Sequence, residues 1–370
     1  MVKKEKAQSS NMSKKQSLEQ PPRKPPHLRI RELYKDNEDV ILGSDDYDAY
    51  VYGGLSTGSL CVDMVIGRPG IPMGRLTEIA AEDDSGKTAL ALELVYQAQK
   101  KGMFIVICDT ERVYDVLRLR ERGIKPDDIL FIRSDTLEHI FETVDNIIDN
   151  LHYEEECLVV IDSIAGTTTN QEKDSGYSDY RVGSHASVLA KAFRKIMTKI
   201  CQNDPKDKQR KKVAMVLVNQ LKENVNLSSY IQSNRLKHFG GFATKYHSSL
   251  RFTLKKKKII YEDDAKTKPV AIDVEVYGHK NKLNTPYLRN TFLLNFAKGI
   301  DSLEDLFRAG VHMELITQKG AYYYYDEGAF YHSAWDKQVE KMGGEDEVRK
   351  LFTEKAFEMG YLKPYGSITA

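Results

Sequence analysis

The chain has 370 residues, 41% of them hydrophobic, and a formal net charge of +1, which suits one sizeable α/β core with a smaller domain beside it. No apolar run reaches the roughly eighteen residues of a membrane span, and Met1-Val2-Lys3-Lys4-Glu5-Lys6 lacks the apolar stretch of a secretory signal, so the expected setting is cytoplasmic. Balanced charge gives no global sign of nucleic-acid affinity, so any such contact must come from local patches.

From Met1 to about His27 the sequence is polar and basic, and Pro21, Pro22, Pro25 and Pro26 interrupt any helix beyond Lys14–Gln20. Residues 1–27 read as a flexible arm, open to roles in touching nucleic acid, touching a partner subunit, or simply solubilising the chain. Residues 28–54 read as a segment that packs on the core or on a neighbour. Alternation then begins, with buried strands expected at Leu76–Ala80, Met103–Cys108, Asp128–Ile132, Leu158–Ile161 and Val213–Val218. Between them Leu90, Leu94, Val95 and Ala98 share one helical face before Gly102. Leu137, Ile140, Phe141, Val144, Ile147 and Ile148 form another apolar stripe, and Val188, Leu189, Ala192, Phe193, Ile196 and Ile200 a third. This order predicts an α/β fold with a mostly parallel twisted sheet flanked by helices. Ser248–Leu254 and Ala271–Tyr277 look like an antiparallel extension. After about Ile300 short helices are expected around Tyr322-Tyr323-Tyr324-Tyr325, giving a core over 55–299 and a small C-terminal α/β domain over 300–370. Cys61, Cys108, Cys157 and Cys201 fit no C-x-x-C pattern and read as buried free thiols, and the histidines form no metal signature.

The chemistry concentrates at Ala81-Glu82-Asp83-Asp84-Ser85-Gly86-Lys87-Thr88, set between a strand and a helix. In such a loop, backbone N–H groups and the helix N-terminus wrap the phosphates of a nucleoside triphosphate, the lysine neutralises them, and the hydroxyl holds Mg²⁺. Lys87 and Thr88 take those roles here; the plainer alternative is a Gly-Lys-Thr turn opening an ordinary helix. Ala81 stands where glycine usually opens the loop, and the acids Glu82, Asp83 and Asp84 lie beside a bound polyanion, which lowers the expected affinity or turns them toward a neighbouring subunit. Leu158-Val159-Val160-Ile161-Asp162 ends in a carboxylate suited to supporting Mg²⁺. Phe104-Ile105-Val106-Ile107-Cys108 runs into Asp109-Thr110-Glu111, where Glu111 is placed to polarise the attacking water. Either acid alone is weak evidence, because acids commonly follow strands as helix caps.

These residues resemble the bacterial RecA recombinases and their phage relatives. Ser56-Thr57-Gly58-Ser59-Leu60, Asp63, Met73-Gly74-Arg75, Glu78-Ile79 and Ser85-Gly86-Lys87-Thr88 follow that family's order and spacing. Asp109-x-Glu111, Ile161-Asp162-Ser163, Asn219-Gln220, Gly240-Gly241 and Lys280-Asn281-Lys282 continue it, from about Ser56 to Gly299 and more weakly beyond, to Gly320-Ala321-Tyr322. The resemblance implies a RecA-like P-loop ATPase core in which Glu111 is the general base and Asp162 supports the magnesium. It implies that Gln220 senses the γ-phosphate and that Lys280 and Lys282 reach the ATP site of the adjacent subunit. Without the resemblance, Lys280-Asn281-Lys282 reads as a solvated hairpin.

The resemblance also places DNA contact in two loops, about Thr167–Gly183 and Leu221–Phe239, and the start of the helix after each. Arg181, Arg194, Lys222, Lys245 and the Gly240-Gly241 backbone are the expected phosphate contacts, with Val225 and Leu227 wedging between bases. An ordinary surface-loop reading stays open for both. Lys255–Lys258 reads as a solvated strand edge in preference to DNA contact.

There are departures. The family's N-terminal helix is not evident, because the proline-rich arm occupies that region. Arg118 replaces a tyrosine that stacks on adenine and can stack through its guanidinium. Ser187 replaces one arginine of the DNA surface, and the second loop is longer. The reading is an ATP-dependent recombinase that forms a homo-oligomeric helical filament on single-stranded DNA and pairs it with a homologous duplex. Its rivals are a nucleotide-gated DNA-binding filament protein with weak hydrolysis and a ring helicase built on the same core.

Overall fold

The computed structural model describes residues 25–35, 53–152, 154–175, 184–201, 211–223, 236–238, 241–326 and 328–365. The chain divides into two units, Met1–Tyr47 and Asp48–Ala370. In the first, helix α1 (Pro26–Leu33) takes up the last two residues of the expected arm and the start of the segment expected to pack on the core or on a neighbour. Pro26 opens that helix, a position whose N–H needs no partner.

The second unit starts with β1 (Gly54–Leu55), α2 (Leu60–Ile66) and β2 (Ile71–Pro72), the two short strands pairing antiparallel. The alternating segment follows as β3 (Arg75–Ala81), α3 (Lys87–Lys100), β4 (Phe104–Asp109), α4 (Val116–Glu121), β5 (Ile129–Ile132), α5 (Leu137–Asn150) and β6 (Glu156–Asp162). Next come α6 (Asn170–Lys173), α7 (Ser184–Cys201), β7 (Lys212–Glu223), β8 (Leu236–His238) and α8 (Gly241–His247). Strands β3, β7, β6, β4 and β5 lie side by side and parallel, as the alternation predicts.

Period-two patterning assigns each residue of these strands to one face. Ile105, Ile107, Leu158, Val160, Val216 and Val218 pack with α3 in one apolar cluster. Val106, Cys108, Val159, Ile161, Met215 and Leu217 pack with α5 and α7 in the other. Both faces are covered, so these strands read as continuous apolar runs.

The sheet continues antiparallel through β9 (Leu250–Tyr261), β10 (Pro269–Asn281), β11 (Arg289–Asn295) and β12 (Gly299–Ile300). Strand β9 runs parallel to β3 as far as Leu254 opposite Ala81; beyond it Lys255–Lys258 are exposed and pair with β10 alone. That agrees with the solvated edge expected for the lysine run. Beyond β12 stand α9 (Ser302–His312), β13 (Thr317–Lys319), β14 (Tyr322–Tyr325), β15 (Gly328–Phe330), α10 (Trp335–Lys341) and α11 (Glu345–Glu358). The tyrosine run is the middle strand of a small antiparallel sheet, flanked by helices. These elements share an apolar cluster with Leu60, Cys61 and Met64 of α2. Among the described residues, no helix is long and apolar enough to cross a membrane.

Within the buried middle of the sheet, the Glu78 carboxylate of β3 accepts from Arg251 Nε of β9 at 2.5 Å and from Asn219 Nδ2 of β7 at 2.7 Å. Glu78 is 0% and Arg251 7% exposed. Arg251→Met leaves the carboxylate buried without its cation, and we expect a loss of about 3–5 kcal/mol in denaturant unfolding.

Candidate active site

Parallel register carries the carboxyl ends of β3, β4, β6 and β7 to one sheet edge: Asp109 stands opposite Asp162, and Ala81 opposite Gln220. Ligand sites of open α/β sheets form at this edge. The loop leaving β3 turns through Asp84 at φ +55° and Gly86 at φ +88°, and α3 starts at Lys87. A side chain at Gly86 would crowd Leu294, so both backbone sign and space require glycine there.

Lys87 points back over its own loop. Its Nζ donates to the carbonyls of Glu82 at 2.9 Å and Ala81 at 3.3 Å, and lies 3.6 Å from Asp83 Oδ1. Ser85 is buried, and its hydroxyl donates to the Asp83 carbonyl at 3.3 Å. Thr88 Oγ1 donates to Asp162 Oδ2 at 3.0 Å, and the buried Tyr114 hydroxyl donates to the same oxygen at 2.9 Å. Burial holds the Asp162 carboxyl up at about 6, with nearby Glu111 adding to the rise and the two hydroxyls and Lys87 opposing it. Glu111 accepts a short hydrogen bond from Ser163 Oγ. Thr110 links the two strand ends, its hydroxyl donating to the Ser163 carbonyl at 2.6 Å and accepting from Ser163 N at 3.0 Å. Sequence reasoning missed Tyr114, Thr110 and Ser163 as supports of the acids, since nothing in their spacing announces that role.

Lys87, Thr88, Asp162, Glu111 and Gln220 thus meet at one edge. The pairing of the Thr88 hydroxyl with the Asp162 carboxylate suits a hard divalent cation, for which Mg²⁺ needs only one or two protein oxygens besides phosphates and waters. Arg118 is exposed on α4, the short helix capped by Asp115 that follows Glu111.

Lys280 and Lys282 lie elsewhere. Lys280 pairs in register with Arg251, Lys282 N donates to the Ser249 carbonyl, and Ser249 N donates to the Leu76 carbonyl, near the start of β3. The phosphate loop leaves β3 at Ala81, about five strand residues or roughly 16 Å away. Within one chain the two lysines do not join the phosphate loop. Lys280 Nζ instead donates to the carbonyls of Lys245 at 2.7 Å and Tyr246 at 3.1 Å, in the last turn of α8. Burial, followed by Lys282 and Arg251, holds its ammonium down at about 8.

Of the expected DNA contacts, Arg194 on α7 and Lys245 on α8 are exposed, and Arg194, Lys280 and Lys282 all press their charge on His247. Arg181, Val225, Leu227 and Gly240 lie outside the described residues. Lys222 pairs with Lys237 as β7 runs on past the expected strand end to meet β8, so the second loop begins and ends as an antiparallel ladder, and Gly241 opens α8. The first loop contains α6, whose Thr169–Glu172 capping box also receives Ser184 and His185 of α7 on the Glu172 carboxylate.

A family model described as the RecA N-terminal domain matches residues 30–301. Among curated proteins, "Protein RecA" of Nautilia profundicola is 30% identical over 280 residues, covering 76% of this chain and 75% of that protein. "Protein RecA" of Deinococcus radiodurans is 30% identical over 273 residues (74% and 71%), and that of Fusobacterium nucleatum 29% over 269 residues (73% and 67%).

A Mg²⁺ ion held by Asp162 would compete with protons for that carboxylate, whose pKa burial raises to about 6, so the Mg²⁺ concentration for half-maximal nucleotide binding should rise as pH falls from 7 to 5. In Asp162→Asn that requirement should be weaker in its pH dependence, as read by a fluorescent nucleotide titrated with Mg²⁺.

Proposed function

Because this chain belongs to the RecA family, we propose that it is a DNA-dependent ATPase and homologous recombinase, which forms helical filaments on single-stranded DNA and exchanges it with a homologous duplex. The observation that carries this reading is the meeting of Lys87, Thr88, Asp162, Glu111 and Gln220 at one strand edge, in a chain that matches the family model over 30–301. In this reading the Lys87 ammonium neutralises the terminal phosphates, and Gln220 contacts the γ-phosphate. Glu111, oriented by Ser163, takes the proton of the attacking water. Thr88 and Asp162 would hold Mg²⁺, which would supply charge neutralisation at the phosphates. Arg118 lies against the base.

The remote placement of Lys280 and Lys282 supports a site completed by a second copy, in which two cations stabilise the charge that develops at the γ-phosphate. Gln220 lies in β7, which leads into the second DNA loop, so γ-phosphate contact and DNA contact share one strand. DNA is held by Arg181, Arg194, Lys222, Lys245 and the Gly240-Gly241 backbone, with Val225 and Leu227 between bases. Contacts to the backbone leave sequence recognition to pairing between the strands. The place of work in this reading is the cytoplasm.

The test is ATP hydrolysis with and without single-stranded DNA at low and moderate salt. Strong stimulation by DNA is expected; DNA binding that needs ATP but proceeds without turnover would favour the weakly hydrolysing filament reading. Glu111→Gln should lower turnover by about 10²-fold or more while sparing ATP binding. Chains carrying Lys87→Ala, mixed with chains carrying Lys280→Ala, should regain activity that neither has alone; no rescue at any ratio removes the shared site.

A further inference from the structure

The phosphate loop carries an anion of its own. Asp83 Oδ1 lies 3.6 Å from Lys87 Nζ and accepts a 2.7 Å hydrogen bond from Gln220 Nε2. One donor stands at the first position of α3, the other in β7, directly beside the end of β3. These are the two side chains that the ATPase reading assigns to the terminal phosphate. An oxyanion that accepts from an ammonium and an amide together makes the same kind of contacts as a phosphate oxygen. Glu82 and Asp84 are exposed in the same loop, but their carboxylates make no hydrogen bond or ion pair with the described residues.

We propose that Asp83 is an internal phosphate surrogate that competes with the γ-phosphate for Lys87 and Gln220, and that this competition sets the chain's affinity for nucleoside triphosphate. The proposal rests on the ATPase reading of the site. A triphosphate must draw both donors away from Asp83, whereas a diphosphate leaves the Gln220 contact in place. Asp83 therefore favours release of Gln220 from the nucleotide once the γ-phosphate has gone, and gives the sensor a definite second partner. Simple repulsion between the acidic loop and the nucleotide would act differently. It would spread over Glu82, Asp83 and Asp84 alike, and would not depend on Gln220.

The experiment measures calorimetric binding of Mg²⁺ with adenylyl imidodiphosphate, and separately of ADP, to the full chain. The variants are Asp83→Ser, Asp84→Asn and Glu82→Gln, each removing one charge, and Asp83→Ser combined with Gln220→Ala. All three acids lie in an exposed loop, so the fold should persist. Asp83→Ser should tighten the triphosphate analogue about three- to tenfold and ADP by less than about twofold. The other two variants should each change the analogue's affinity by less than about twofold, and in the Gln220→Ala background the Asp83→Ser gain should fall by at least about half. Equal tightening by all three, or an undiminished gain without Gln220, overturns the surrogate. If the native chain binds and Asp83→Ser is no tighter, the surrogate alone fails. Binding that appears only in Asp83→Ser supports it, and no binding by any form refutes the ATP site together with the surrogate.

Discussion

One buried charge pair fixes the geometry on which the site depends. Glu78, Arg251 and Asn219 join three adjacent strands in the sheet interior, and two of these carry candidate site residues at the same edge: the phosphate loop after β3 and Gln220 on β7. Two opposite charges inside apolar strands are costly to desolvate, and only a close pair with its remaining acceptor filled offsets that cost. A register slip by one residue would put Glu78 and Arg251 on opposite faces. The pair thereby selects the alignment that brings Ala81 beside Gln220, a requirement apolar packing meets less sharply because neighbouring valines and isoleucines exchange with little change in volume.

The edge that this register creates has a graded electrostatic character. Asp162 is buried beneath two hydroxyls, Glu111 stands further out against Ser163, and the three loop acids face solvent. Burial raises the innermost carboxyl's pKa to about 6. Of the three loop acids, Asp83 alone has the Lys87 ammonium within ion-pair distance, with Gln220 as its second partner. An incoming polyanion has to rearrange those existing contacts as well as form new ones.

Much of this was legible in the sequence. The parallel strands appear as apolar runs of four to seven residues because both faces of the sheet are covered, and the phosphate loop is local, so spacing alone locates Lys87 and Thr88. The acids at the ends of β4 and β6 follow from strand order. Less legible were features that depend on contacts between distant segments. Arg251 lies 173 positions from Glu78, and only the oddity of a charge within each strand hints at the pair. Tyr114 sits in a short irregular stretch with no period to read. Chain order does not say whether a proline ends one helix or begins the next, which is how α1, at the start of the segment expected to pack on the core or on a neighbour, escaped notice. The tyrosine run has the high strand propensity that its place in β14 bears out, against the expectation of short helices around it. Beyond Leu221, the β7–β8 ladder depends on pairing across a long loop, which composition does not signal.

The placement of Lys280 and Lys282 at one end of the strands and the phosphate loop at the other gives the molecule a front and a back. An assembly that completes its sites by joining the two is head-to-tail, so it has no two-fold axis and its extremities are unlike. At one extremity a phosphate loop waits for lysines, and at the other a pair of lysines has nothing to reach. In such an assembly an open row would hold one finished site fewer than it has members, and an isolated chain would hold none. Growth and shrinkage can then proceed at different speeds at the two extremities, and direction along the row follows from where the chain places two cations relative to one loop.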